Sequence, residues 1–272
     1  MNASIGFIGG GNIAASLIGG LREAGCAGER IVVAEPDSAR REQLRADYSV
    51  RTTEHNADTL AQDFVVLAVK PQVLPTVCRH LQPRAGDCGC AFISIAAGIR
   101  SASIDRWLGG GQAIVRCMPN TPALLQCGAT GMFANAAVSD TQREQAEAIL
   151  ASVGLTVWVK EEALLDAITA VSGSGPAYYF LLMEAMSEAG VELGLDADTA
   201  QQLVTQTALG AARMMAQSDD SAATLRANVT SKGGTTEQAI RSFEQNGFRG
   251  MVKQALRAAR DRSIELADEL DQ

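Results

Sequence analysis

The chain has 272 residues, 47% of them hydrophobic, and a formal net charge of −8 at pH 7. That length suits two domains, and the apolar content suffices for a substantial core. An acidic chain with no Lys/Arg cluster lacks the charge to neutralise many phosphates, which excludes nucleic acid as a partner. No apolar run approaches the roughly 18 residues of a membrane span, and no charged segment precedes the first apolar stretch, so a cytoplasmic protein with no membrane partner is expected.

The first element is Ser4-Ile-Gly-Phe-Ile-Gly-Gly-Gly-Asn-Ile-Ala14. Its apolar start reads as a short buried strand, Gly9, Gly11 and Ala14 follow as GxGxxA, and the amphipathic run Leu17 to Leu21 comes next. Gly9 permits a tight turn, Gly11 leaves room for backbone to approach a pyrophosphate, and Ala14 lets helix and strand pack closely, with unpaired helix amides facing the anion. A glycine-rich turn can also join strand to helix with no ligand. The second strand, Ile31 to Glu35, ends in a carboxylate about twenty residues on, where the dinucleotide fingerprint expects a ribose contact.

Asp37 can cap a helix running to about Asp47. Asp63 to Val69 is a continuous apolar run, as in a strand buried on both faces, and it stops at Lys70-Pro71. Ala91 to Ile95, before Ala96-Ala97-Gly98, repeats the design, as does Ala113 to Met118 before Pro119-Asn-Thr-Pro122. Strands alternating with helices predict an α/β fold, a mostly parallel doubly wound sheet. Ligands on such sheets bind beyond the carboxyl ends of the strands, so the segments after Ile8, Ala34, Val69, Ile95 and Met118 should share one crevice. Lys70 has two readings, a phosphate or ribose contact or a solvated charge; Asn56 either faces the adenosine end or caps the short helix after it. Six cysteines (Cys26, Cys78, Cys88, Cys90, Cys117, Cys127) read as buried thiols, with Cys88 and Cys90 the one close pair. Two histidines and no second paired-cysteine knuckle speak against zinc, and no metal is expected.

After Thr156-Val-Trp-Val159 no further strand is evident, and helices are predicted over 163–171, 176–193, 198–217, 236–246 and 249–270. The domain boundary falls near residue 162, giving a dinucleotide-binding domain over 1–162 and an all-helical domain over 163–272. The helix from Pro176 carries Glu184, Glu188 and Glu192 as one narrow polar stripe, while Tyr178, Tyr179, Phe180, Leu181, Leu182, Met183 and Met186 surround its axis. One contact face cannot bury them all, so a second subunit is expected to cover the rest; the alternative is a central helix wrapped by its own domain.

Asn228-Val-Thr-Ser-Lys-Gly-Gly-Thr-Thr-Glu-Gln238 is a second glycine-rich stretch. Thr235 and Gln238 have capping-box spacing, so a helix should begin here. That helix is either simply well capped or a carboxylate site, since exposed amides at a helix start bind an acid and Gly233-Gly234 would let it approach.

Six motifs in order, Gly9-Gly-Gly11-Asn-Ile-Ala14, Ala68-Val-Lys-Pro71, Ser94-Ile-Ala-Ala-Gly98, Met118-Pro-Asn-Thr-Pro-Ala123, Val171-Ser-Gly-Ser-Gly-Pro-Ala177 and Ser231-Lys-Gly-Gly-Thr-Thr236, resemble pyrroline-5-carboxylate reductase. The likeness covers essentially the whole chain, with one departure: Lys232 stands where many relatives carry proline. It implies a Rossmann domain followed by a helical dimerisation domain, assembled as a homodimer or as a decamer of dimers. It further implies reduction of L-1-pyrroline-5-carboxylate to L-proline, the last step of proline synthesis. By this match the cofactor contacts are Gly9, Gly10, Gly11, Asn12, Ile13, Glu35, Asn56, Ala68, Val69, Lys70, Pro71, Ala96 and Ala97. The substrate contacts are Asp219, Asn228, Ser231, Gly233, Gly234 and Thr235, with Thr236 as the catalytic residue that bonds the ring nitrogen.

A protonated imine is already electrophilic, so Thr236 is expected to orient the iminium instead of acting as a strong acid. Glu35 at the ribose would repel a 2′-phosphate by about 4 kcal/mol at ~4 Å with an effective dielectric near 20, which favours NADH. Against that, Ser38, Arg40 and Arg41 lie just beyond, Glu35 has the alternative of turning away to solvent, and the resemblance implies NADPH. A β-hydroxyacid dehydrogenase shares this plan but carries a catalytic lysine that the segment Gly173 to Leu181 does not offer. A non-catalytic dinucleotide-sensing regulator would have lost the hydroxyl-rich second loop.

Overall fold

The computed structural model describes residues 3–270. The first part alternates strands and helices: β1 (Ile5–Ile8), α1 (Asn12–Glu23), β2 (Ile31–Ala34), α2 (Ser38–Tyr48), β3 (Arg51–Thr53), β4 (Phe64–Leu67), α3 (Leu74–Ala85), β5 (Ala91–Ser94), α4 (Ser101–Leu108), β6 (Ile114–Met118), β7 (Gly128–Ala134), α5 (Asp140–Ala151) and β8 (Gly154–Trp158). They build one sheet of order β3-β2-β1-β4-β5-β6-β7-β8, parallel except where β7 runs antiparallel to β6. The chain leaves β1 for β2 on one side and returns to β4 on the other, a topological switch point at β1/β4.

Strand burial explains the continuous apolar runs. Phe64 and Val66 join a core with Phe7, Leu17 and Leu21 on one face, whereas Val65 and Leu67 join Leu74, Leu81 and Phe92 on the other. With helices on both sides, both sets of alternate residues must be apolar. Local signals fix the helix starts: Asp37 accepts from the Ala39 and Arg40 amides at the head of α2, and Ser139 with Gln142 forms a full capping box on α5.

The helices that follow are α6 (Leu164–Ile168), a π-turn at Thr169–Gly173, α7 (Gly175–Glu192), α8 (Ala197–Gln217), α9 (Ala222–Asn228), α10 (Thr235–Gln245) and α11 (Phe248–Leu270). By compactness the chain forms two units: Gly175–Arg257, and the residues up to Ser174 with those from Ala258 onward. These limits differ from a cut at 162 for a packing reason. Leu165 and Ile168 of α6 lie on β7, where a side chain at Gly131 would collide with them, so α6 belongs to the sheet. The end of α11 returns to the same unit, where Ser263 donates to Asp166 at 2.7 Å and Arg100 pairs with Asp268 at 2.5 Å.

The two units differ sharply in burial. Among the described residues of Gly175–Arg257 only Gly175 and Ala200 are buried, and Tyr179, Phe180, Leu181, Leu203, Met214 and Met251 are exposed in the single chain. No helix of the described residues is long and apolar enough to cross a membrane.

Three features depart from the sequence expectations. β3, β7 and α9 are additional elements, β7 being Gly128-Ala-Thr-Gly-Met-Phe-Ala134. Cys88 and Cys90 are joined as a disulfide and Cys127 is exposed, so the buried-thiol expectation holds for Cys26, Cys78 and Cys117 alone. Burial pushes the Cys78 thiol up to about 12 and the Cys117 thiol up as well, keeping both neutral.

Candidate functional site

The first cluster sits at the carboxyl ends of β2, β1, β4, β5 and β6, which are consecutive neighbours in the sheet. Gly9 turns the chain out of β1 at φ +97, its amide donating to the Ala34 carbonyl at 2.8 Å. A Cβ there would stand 2.7 Å from the Ala68 carbonyl oxygen and 3.1 Å from Val69, so Gly9, Ala68 and Val69 are in close contact. Gly11 is different: a Cβ built on it meets nothing within 4 Å. It is the N-cap of α1, it is exposed, and no side chain caps that helix. Open space at Gly11, beside uncapped helix amides, leaves room for a pyrophosphate to approach the backbone.

Around this turn the polar groups interlock. The Glu35 carboxylate accepts from the Gly10 amide at 2.8 Å and the Asp37 amide at 3.1 Å. Arg40 donates its Nε to the Gly10 carbonyl at 2.7 Å and an Nη to Gln43 at 2.8 Å. Arg41 donates to the carbonyls of Glu35 and Pro36 at 2.7 and 2.8 Å and lies 3.8 Å from Glu54. Glu35 therefore holds the glycine turn, with two guanidinium groups beside it. This use of Glu35 is not evident from a carboxylate at a strand end; the sequence signal for it is Arg40 and Arg41 at the head of α2.

The remaining members of the set are placed as follows. Asn12 and Ile13 open α1. Asn56 is the first residue of a 3-10 turn, Asn56–Ala61, that no side chain caps, which removes its capping alternative. Lys70 is exposed and Pro71 half-buried after β4, while Ala96 is buried and Ala97 exposed after β5. Beyond β6, Asn120 donates to the Ser172 carbonyl at 3.0 Å and accepts from the Ala129 amide at 2.9 Å, tying that loop to the π-turn.

The second cluster lies in the helical unit. Asp219 is exposed between α8 and α9, and Asn228 ends α9. The Gly234 amide donates to the Ser231 carbonyl at 3.1 Å, and Gly233, at φ +76, donates its amide to the Glu237 carboxylate at 2.8 Å. The capping box expected from Thr235 and Gln238 does not form. Gly234 is the N-cap and Thr235 the first residue of α10, so the helix begins with no side-chain cap. Thr235 is exposed, Thr236 half-buried and Lys232 exposed. An open helix start with two hydroxyls in its first turn is suited to a small carboxylate.

Fold and first cluster together define a class: a Rossmann-type dinucleotide-binding oxidoreductase with a helical unit built onto it. The description "Pyrroline-5-carboxylate reductase dimerisation" matches residues 162–266, and "NADP oxidoreductase coenzyme F420-dependent" matches residues 4–98. The pyrroline-5-carboxylate reductase of Pseudomonas aeruginosa is 52% identical over 98% of both chains, and that of Synechocystis 41% identical over 98% of this chain and 99% of its own. The solved reductase from Coxiella burnetii superposes with a TM-score of 0.95 at 44% identity, over 98% of this chain and 99% of that one. The Plasmodium falciparum enzyme, solved with NADP bound, gives 0.85 at 29% identity over 98% of each. The chain belongs to the pyrroline-5-carboxylate reductase family.

Proposed function

We propose that this protein reduces L-1-pyrroline-5-carboxylate to L-proline with NADPH, as the last step of proline biosynthesis. The observation that carries the reading is the pair of uncapped, glycine-led helix starts, one at α1 and one at α10. The first fits the pyrophosphate of a dinucleotide and the second the carboxylate of an imino acid. When bound, the reduced nicotinamide supplies the hydride. The chain's own task is to bind, align and keep water out, because a protonated cyclic imine needs no strong acid.

Gly9, Gly10, Gly11, Asn12 and Ile13 would hold the pyrophosphate, with Ala68, Val69, Lys70, Pro71, Ala96 and Ala97 along the neighbouring strand ends and Asn56 toward the adenosine. Arg40 and Arg41 favour a 2′-phosphate, and Glu35, engaged by the Gly10 and Asp37 amides, opposes it less than a free carboxylate would. NADPH is therefore preferred to NADH. Thr235 with the amides of Gly233 and Gly234, and with Ser231, Asn228 and Asp219 nearby in sequence, would take the carboxylate. Thr236 would orient the ring nitrogen.

The helical unit acts in substrate binding and self-association. A unit whose helices bury only two small residues has no core of its own, and a second copy of the chain laid on the apolar faces of α7 and α8 would supply one. A homodimer, or a higher assembly of dimers, in the cytoplasm follows from this reading. The test is the fall in 340 nm absorbance when purified protein, NADPH and pyrroline-5-carboxylate are mixed, with proline as product. No absorbance change with either reduced dinucleotide would overturn it.

A further inference from the structure

A polar cluster inside the sheet unit is not used by anything described so far. Arg116 lies in β6, its side chain 7% exposed, and its guanidinium donates to the Glu162 carboxylate at 3.0 Å. The same carboxylate accepts from the Ser101 amide and the Ser101 hydroxyl, both at 2.7 Å. Ser101 is the first residue of α4, a helix whose own N-cap, Arg100, makes no side-chain cap bond. In the sheet register Arg116 stands opposite Ser94, the last residue of β5.

The loop from Ile95 to Arg100 therefore starts beside Arg116 and ends at Ser101, which Glu162 holds against Arg116. Both ends of the loop that carries Ala96 and Ala97 are thus referred to Arg116, one through the β5–β6 ladder and the other through the Glu162 carboxylate. The middle of the loop is fixed from the other side: Gly98, at φ +73, lies under α11, where an added Cβ would contact Leu270 and Leu266 at 3.4 and 3.6 Å. A buried charge pair is a costly way to cap a helix, since desolvation offsets most of the attraction, and well-packed apolar residues can do as well for stability. What the ion pair adds is a defined position for the groups its carboxylate bonds, the Ser101 amide and hydroxyl.

We propose that Arg116 and Glu162 are positioning residues that pin the loop after β5, so that the Ala96–Ala97 backbone meets the bound dinucleotide in one place. This rests on the reading of the strand ends as the dinucleotide site. Three variants separate positioning from folding. Arg116→Met with Glu162→Leu removes the pair and leaves no unpartnered charge; Glu162→Gln keeps an acceptor for Ser101; Ser101→Ala deletes one bond at the end of the loop. Each is measured by thermal melting, by the NADPH dissociation constant from a fluorescence titration, and by separate KM values for NADPH and pyrroline-5-carboxylate.

The double variant is expected to weaken NADPH binding about tenfold and to raise its KM in proportion, with the KM of the imino acid within about twofold of the parent. Ser101→Ala should weaken NADPH about threefold, with the same split. A helix cap alone would lower the melting temperature and leave both dissociation and KM values where they were. That outcome, in the double variant or, should it not fold, in Ser101→Ala and Glu162→Gln, overturns the proposal. If the parent protein binds NADPH yet turns over no pyrroline-5-carboxylate, the assigned activity fails, and the dissociation constants alone still decide whether the loop is pinned.

Discussion

Two helices of this chain start from paired glycines without a side-chain cap, and their surroundings differ. The start of α1 follows a strand buried at every position, and its turn is bonded to Ala34, Glu35 and Arg40. The start of α10 is bonded only within its own segment, to Ser231 and Glu237, and α10 has no buried residue in the single chain. The first is a rigid cradle finished by the sheet. The second is a half-built one, in a unit that lacks a core until something covers it. A site for a large cofactor can be complete in one domain, whereas the proposed substrate site sits in a unit with almost no buried residue of its own.

The largest expected effect breaks the rigid cradle. Gly9→Ala places a Cβ 2.7 Å from the Ala68 carbonyl at a left-handed φ, so it should cost on the order of 3 kcal/mol in urea unfolding and abolish NADPH binding. Gly233→Ala, at a similar φ but with open space around it, should cost only about 1 kcal/mol. Equal costs would erase the contrast between the two loops.

Next comes Thr236→Ala, which should lower kcat by about ten- to a hundredfold while the NADPH dissociation constant stays unchanged, since one bond to a charged ring nitrogen is lost. Unchanged turnover would remove Thr236 from the chemistry. Arg40→Ala should cut kcat/KM with NADPH about tenfold and leave NADH nearly untouched, measured with both cofactors side by side. A parallel loss with both would assign Arg40 to holding the Gly10 turn alone.

The two-unit plan, the parallel sheet and the positions of both glycine loops were legible because each rests on local pattern: Ile5–Ile8 and Phe64–Leu67 are apolar at every position, and Gly9-x-Gly11 interrupts such a run. β7 was illegible because Gly131 is required by packing against Leu165 and Ile168, contacts distant in sequence that no local pattern announces. The inward turn of Glu35 was hidden for a related reason, since a carboxylate at a strand end suits a ribose hydroxyl and a backbone amide equally well. The absent cap at Thr235 shows that correct spacing cannot decide whether a hydroxyl closes on its own helix or stays open for a ligand.

The smallest effect compares acid sensitivity in the two units. Asp63, bonded by the Ser4 amide and hydroxyl, and Asp196, bonded by the Thr199 hydroxyl and amide at the head of α8, are both held below the usual Asp value of 3.8. A carboxylate with a lowered folded pKa stabilises the fold above its unfolded pKa, and that contribution is lost as pH falls through the folded value. Asp63→Asn and Asp196→Asn should each flatten the melting temperature profile below about pH 4 and leave its slope near neutrality unchanged. A steeper acid limb in either variant would contradict the assigned bonds.

Hydrogen exchange with each ligand alone addresses the two loops together. NADPH should slow exchange at the amides of Gly11 to Ala14 and leave those of Gly234 to Glu237 as they were, while proline should protect Gly234 to Glu237 and not the first loop. Protection of the same loop by both ligands, or of neither, would contradict a division of labour between the two helix starts.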